Sequence, residues 1–226
     1  EPYAFQTPNC AAQGPDGRIY VSDQLTDSIV RFEPDGSFES IFADDSDGLD
    51  NVRGIDFRGD ELFASVSSSG QKFVARFDLN GNRLADFVTD DGDPFDVLFL
   101  SNGTMMMANL EDPDDVRLYD VDASSHTSLL AMNFPQQIQP LPNGNFVVAG
   151  WSEVHEFEID GTVVRTISTL RSSSGVYPLD SGQWLVSSDD GVQAINPFSL
   201  EVVQTARVGT SFLKIERVTL PRLPNR

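Results

Sequence analysis

Five copies of one short pattern run through this chain, and their spacing limits what it can fold into. Each copy has an apolar run ending in a small residue: Ile19-Tyr20-Val21-Ser22, Leu62-Phe63-Ala64-Ser65, Met105-Met106-Met107-Ala108, Phe146-Val147-Val148-Ala149 and Trp184-Leu185-Val186-Ser187. A second run follows each, ending Phe32-Glu33, Phe77-Asp78, Tyr119-Asp120, Phe157-Glu158 and Ile195-Asn196. Successive small residues recur every ~40 positions, the period of a propeller blade built from four short strands. The fold expected is an all-β, five-bladed β-propeller of four-stranded antiparallel blades.

Lettered a to d from the centre outward, strand a carries Ala11–Gln13, Ile55–Phe57, Val97–Leu100, Ile138–Leu141 and Val176–Leu179. Strand b ends in the small residue and strand c in the acid or amide. Strand d falls near Phe38–Phe42, Leu84–Val88, Thr127–Leu130, Val163–Ile167 and Val202–Ala206. Gly and Asn punctuate the turns (Asp16-Gly17, Asn102-Gly103, Asn143-Gly144, Asp160-Gly161) because tight hairpins need positive φ. One domain is expected, with blades at about 8–42, 52–88, 94–131, 135–168 and 173–206 and a closing segment over 207–226. Within that segment Phe212-Leu213-Lys214-Ile215-Glu216-Arg217-Val218 reads as a further strand. Either it or Tyr3-Ala4-Phe5 is expected to close the ring, since unpaired sheet edges invite aggregation.

Alternation of antiparallel strands puts the a–b and c–d turns on one face and the longer b–c and d–a loops on the other. Acids gather in the longer loops: Asp44, Asp45, Asp47 and Asp50; Asp90, Asp91 and Asp93; Glu111, Asp112, Asp114 and Asp115; and Asp23, Asp27, Asp189 and Asp190. Net charge is −20, and lysine is confined to Lys72 and Lys214. Such a field repels nucleic acid and anionic lipid, so a protein surface or small cationic ligand is the expected partner. Insertion into a membrane is not expected, because no apolar run reaches the ~18 residues of a span. A monomer is expected. Cys10 is the only cysteine, which rules out an internal disulfide and reads as a buried thiol. A start at Glu1-Pro2-Tyr3 points to a processed or trimmed chain, and export to a periplasmic or extracellular setting is the expectation.

Pro8-Asn9-Cys10-Ala11-Ala12-Gln13-Gly14-Pro15-Asp16-Gly17-Arg18-Ile19-Tyr20-Val21-Ser22-Asp23 resembles an NHL-type repeat, and is similar to repeats of the calcium-dependent lactonases of the gluconolactonase group. Pro94-Phe95-Asp96-Val97 and Pro135-Gln136-Gln137-Ile138 keep its leading proline. The resemblance implies a site where Asn or Asp side chains at the entry to strand a converge on one axial divalent ion, with a Glu beside the first blade. The entry positions here are Asn9, Arg53, Phe95, Gln136 and Ser174, and Phe5-Gln6-Thr7 supplies no Glu. Only Asn9 matches, and Arg53 would put a cation where the ion should sit. Asp96, one position deeper, is expected to pair with Arg53.

Other chemistry finds little support. The zinc sites of similar amidating lyases need clustered histidines, and His126 and His155 lie far apart in the repeat; no axial histidine base is present. No Gly-x-Ser-x-Gly elbow occurs. Arg58-Gly59-Asp60 reads as a turn, and Met105–Met107 and Trp184 read as core. Trp151 opens a b–c loop, where an aromatic beside carboxylates suits a cation. Asp44, Asp45 and Asp47, with Asp90, Asp91 and Asp93, could hold Ca²⁺ locally, though without EF-hand spacing. The reading is a non-catalytic binding or scaffold propeller. Asn9, Arg53, Asp96 and Gln136 would line its mouth, with Asp23, Asn109 and Trp151 around it. The alternative is a metal-dependent hydrolase of the lactonase type on an atypical axial ion site of Asn9, Asp96 and Gln136.

Overall fold

The computed structural model describes residues 3–87, 92–122, 125–168, 171–207 and 214–219. They form five consecutive antiparallel blades, the fold of a five-bladed β-propeller. Among the described residues there is no α-helix, only a 3-10 turn at Asp45–Asp47, and none long and apolar enough to cross a membrane. Contacts divide the chain into two compact units, one of residues 1–88 and 216–226, the other of residues 89–215.

In the first unit, blade one is β1 (Pro8–Gln13), β2 (Ile19–Asp23), β3 (Ser28–Phe32) and β4 (Phe38–Ala43), paired in sequence order. Blade two is β5 (Val52–Arg58), β6 (Glu61–Ser67) and β7 (Lys72–Asp78). The segment expected as its fourth strand joins β7 only through isolated bridges, Phe77 to Arg83 and Val74 to Phe87, short of a full ladder. Val88 lies outside the described residues. Tyr20, Phe42, Leu62 and Phe77 are buried between the two sheets, with Tyr20 edge-on to Phe42 and Phe57 at 5.0 Å. Such T-shaped contacts add to the gain from burial alone.

The second unit holds three blades. Blade three is β8 (Pro94–Phe99), β9 (Met105–Asn109), β10 (Asp115–Asp120) and β11 (Ser125–Ala131). Blade four is β12 (Gln137–Pro140), β13 (Phe146–Ala149), β14 (Val154–Phe157) and β15 (Val163–Ile167). Blade five is β16 (Gly175–Pro178), β17 (Trp184–Ser188), β18 (Gly191–Ile195) and β19 (Val202–Arg207). Met105, Met106 and Met107 are all fully buried, as befits thioethers filling gaps on both faces of a second strand. His126, one residue before the strand expected at Thr127–Leu130, stands on β11.

The small residues of the repeat have a structural reason. Ser22, Ser65, Ala108, Ala149 and Ser187 all have zero exposure at the ends of their second strands. In blade one the Ser22 hydroxyl reaches the Arg53 carbonyl on β5, so a longer side chain would push that strand away. The closing segment departs from expectation. Residues 214–219 form no strand, and Phe212 and Leu213 lie outside the described residues. In the first unit, Gln13 Oε1 accepts from Thr219 N at 3.2 Å and Gln13 Nε2 donates to Thr219 O at 3.1 Å. A side-chain amide thus stands in for a ladder partner. Tyr3, at the other end, bonds through its hydroxyl to Thr26 and Ser28 of blade one.

Turn glycines differ in how tightly they are held. Gly161, in the β14–β15 turn at φ +87°, would carry a Cβ only 2.0 Å from the Leu129 carbonyl oxygen, whereas Gly182 at φ +80° has nothing within 4 Å. Gly182→Ala meets only the left-handed backbone cost, about 1 kcal/mol. Gly161→Ala must also displace β11, and is expected to lose about 3 kcal/mol. Urea unfolding of the two variants checks this; equal losses would mean that Leu129 does not crowd Gly161.

Candidate functional site

The described residues with the most concentrated chemistry lie at the start of β8 and β12 in the second unit. Cys10, Asp96 and Gln137 occupy one position in the repeat, opposite Ser22, Ala108 and Ala149 on their second strands. From there each side chain reaches the first strand of the following blade. Asp96 Oδ2 accepts from Ile138 N at 2.9 Å, and Gln137 Oε1 accepts from Val176 N at 2.9 Å. In the first unit Cys10 Sγ donates to Ile55 O at 3.7 Å. The first strands are therefore linked by side chain to backbone, which satisfies amides that no ladder serves.

Asp96 also binds a cation. Lys214 Nζ makes a short contact with Asp96 Oδ1, lies 3.3 Å from Phe95 O, and stands 5.6 Å from the Phe95 ring centroid. Both side chains are nearly inaccessible, at 1% for Lys214 and 5% for Asp96. Ile215 is fixed beside them, its N–H donating to Gln137 Oε1 at 3.0 Å and its carbonyl accepting from Gln137 Nε2 at 2.8 Å. The sequence reading gave Asp96 to Arg53. The cation that Asp96 holds is Lys214, more than a hundred residues away in the chain and outside any repeat signal. Arg53 itself donates through Nε to Asn51 Oδ1 at 3.4 Å.

An aromatic row extends from this ion pair. Phe95 meets Phe134 edge-on at 5.7 Å, and Phe134 meets Trp151 edge-on at 5.4 Å, where the indole is half exposed. Phe134 has φ +53°, a left-handed backbone that an aromatic residue seldom adopts, and its N–H donates to Asp114 Oδ2 at 3.0 Å. That carboxylate holds Phe134 where it can touch both rings.

The other residues singled out from sequence serve mainly as braces. Asp23 is fully buried and accepts from Gln6 N and Thr7 N at 2.8 and 2.7 Å. Asn109 accepts from Asp93 N and Glu111 N and donates to Asp115 Oδ1 at 2.7 Å, knitting the β9–β10 loop. Gln136 donates to Ser173 O at 3.3 Å. Asn9 donates to Gln24 Oε1 at 3.2 Å, and its own buried Oδ1 has no hydrogen-bond partner.

The loops read as possible calcium sites are organised by hydrogen bonds. Asp44 caps the 3-10 turn, accepting from Ser46 N, while Asp47 Oδ2 accepts from Asp44 N in a capping box. Asp45 is exposed in that turn, Asp93 is half-buried, and Asp90 and Asp91 lie outside the described residues. Among the described residues, no group of three or more His, Cys, Asp or Glu is arranged to hold a metal ion. Asp96, which the atypical axial ion site would need, already faces an ammonium. Asp44, Asp47 and Asp96 are thus already engaged within the chain.

No protein-family profile and no curated protein matches the sequence. Solved structures do share the fold. A provisionally assigned gluconolactonase superposes with a TM-score of 0.72 at 16% identity, covering 91% of this chain and 80% of its own. A chain of a nidogen/laminin complex gives 0.64 at 16% identity, over 72% of this chain and 64% of that one. Hydrazine synthase of Kuenenia stuttgartiensis gives 0.63 at 15% identity, over 91% and 60%. This chain therefore spans less than two thirds of the latter two. Identities this low establish the β-propeller fold and nothing of the chemistry.

Burial raises the Asp96 carboxyl above the usual range more than the Lys214 ammonium pulls it back. A carboxyl raised in the folded state contributes stability that is complete below the unfolded pKa, near 4, and is lost as pH climbs through the folded value. Lys214→Met removes the offsetting ammonium, so its deficit should widen as pH rises from about 4, reaching about 3–5 kcal/mol once the lone carboxylate is charged. Urea unfolding between pH 4.5 and 7 measures it. A deficit independent of pH would show that Asp96 does not depend on Lys214.

Proposed function

We propose that this chain is a non-catalytic binding or scaffold propeller that receives a cationic ligand or the basic side chains of a protein partner. The carrying observation is the setting of Lys214. An ammonium group is held by a carboxylate, a carbonyl and an aromatic face, the combination that selects ammonium ions. The second unit thus contains cation-binding chemistry, occupied by a lysine of the chain itself. Trp151, at the outer end of the aromatic row, offers the same kind of face to a visitor.

The acidic composition supports this reading, because a net charge of −20 draws basic partners and speeds their encounter. So does the employment of the polar side chains on the first strands. Asp96 and Gln137 connect blades, and a hydrolase would need such groups free to meet substrate. The lactonase alternative requires Asp96 to exchange Lys214 for a metal ion.

Calorimetry with a lysine-rich decapeptide tests the proposal. Binding is expected in low salt and should weaken as salt screens the acidic loops. Trp151→Ala should reduce affinity about three- to thirty-fold, the worth of one cation–π contact. No binding, or binding indifferent to Trp151, would overturn it. Calcium-dependent hydrolysis of lactones, abolished by Asp96→Asn, would establish the enzyme instead.

A further inference from the structure

A second feature of the three-blade unit is independent of Asp96 and of the acidic loops. Between the a–b turns of blades four and five and the β18–β19 turn lies an open cleft of about 390 Å³. That volume is within the roughly 300–1,000 Å³ of small-molecule sites. Its walls are mainly apolar: Leu141, Pro142, Val164, Trp184, Pro197 and Phe198. Phe198 is 79% exposed, the most exposed large apolar side chain among the described residues. A ring so uncovered beside a cleft provides a platform that burial by a ligand would reward.

The polar part of the cleft is one connected system. Arg165 lies over the Phe198 ring at 4.1 Å and near Trp184 at 6.0 Å. Its Nη1 donates to Pro197 O at 3.1 Å, and its Nη2 stands 3.6 Å from Glu156 Oε2. The other oxygen of Glu156 accepts from Asn143 and Asn145 at 3.1 and 2.8 Å. Glu156 therefore has little left to offer a ligand, and it neutralises the guanidinium. Arg165 carries five N–H donors, and only the one given to Pro197 is used in a hydrogen bond among the described residues.

Flat aromatic surface, apolar walls and spare planar donors together specify the guest. We infer that this cleft binds a small aromatic compound bearing a carbonyl oxygen, as an amide or a carboxylate. The ring packs against the exposed Phe198, above the buried Trp184 that floors the cleft, and the oxygen accepts from Arg165. A cationic guest would meet a guanidinium whose only counter-charge is already committed. A polyhydroxylated guest would leave most of its hydroxyls facing apolar walls, which is costly.

Trp184 gives the readout. The chain has two tryptophans, so Trp151→Phe leaves Trp184 as the sole indole emitter. In that background benzamide or benzoate should change the fluorescence saturably at millimolar concentration, and their relative affinity shows whether the guest's oxygen is neutral or charged. Phe198→Ala, at an exposed turn where the fold is not at risk, should weaken binding about five-fold. Arg165→Gln should weaken both ligands, and benzoate more. Absence of a saturable response to both up to about 20 mM would overturn the inference. So would equal binding of benzylamine or methyl α-glucopyranoside, or affinities untouched by Phe198→Ala.

Discussion

Hydrogen bonds from side chain to backbone between first strands are the interactions on which the rest of this structure depends. Each blade satisfies its own amides through an antiparallel ladder, but within each unit neighbouring blades share none. Apolar contact alone fixes sheet separation poorly in register. At one position of the repeat, Asp96 and Gln137 take a specific N–H of the next blade, which sets that register. Cys10 does so more weakly in the first unit, with a thiol on a carbonyl. The small residue opposite each of them allows the approach. In blades two and five the small residue recurs without such a link, with Ser65 donating to the Gly54 carbonyl and Ser187 opposite Gly175.

Placing a carboxylate at this position has a further consequence. Asp96 gives one oxygen to Ile138, and the second is left in a setting that water barely reaches. A buried carboxylate oxygen without a partner is expensive. Lys214 meets that need, and Gln137 holds Ile215 by both its N–H and its carbonyl. A segment with no ladder is thereby held by two side chains of adjacent blades. The same arrangement leaves both Asp96 oxygens engaged, one by the Ile138 amide and one by the Lys214 ammonium.

Periodic features of the sequence were legible because each blade repeats them. Apolar alternation located the strands, and Gly with Asn located the hairpins that close at positive φ. Burial of Met105–Met107 and Trp184 followed from their place in the second run. Contacts made once, across long separations, left no such trace. Nothing around Lys214 marks it as the partner of Asp96, so Arg53 was the nearer choice on paper. The terminal run around Ile215 has the alternation of a strand, yet its hydrogen bonds go to glutamine side chains. Asp44 and Asp47 look like ion ligands by composition, and loop geometry turned them to capping. Arg165, Glu156 and Phe198 were missed because each is ordinary in its own strand or turn; only the packing of blade four against blade five brings them together.

The distribution of charge distinguishes two kinds of polar group in this molecule. Carboxylates inside the blades, such as Asp23, Asp96, Asp115 and Glu156, are each saturated by backbone or side-chain donors, and their chemistry is spent on structure. Carboxylates in the loops, such as Asp45 and Asp112, are exposed to solvent and supply the field that a visitor meets. Catalysis by acid and base needs a third kind, a group shielded from water yet left open to a reacting atom. Asp96 is shielded from water, and its second oxygen is closed by a lysine. A propeller arranged in this way retains the two properties that binding requires, a rigid frame and a charged, partly aromatic surface. That is the physical basis for reading it as a module that holds a partner.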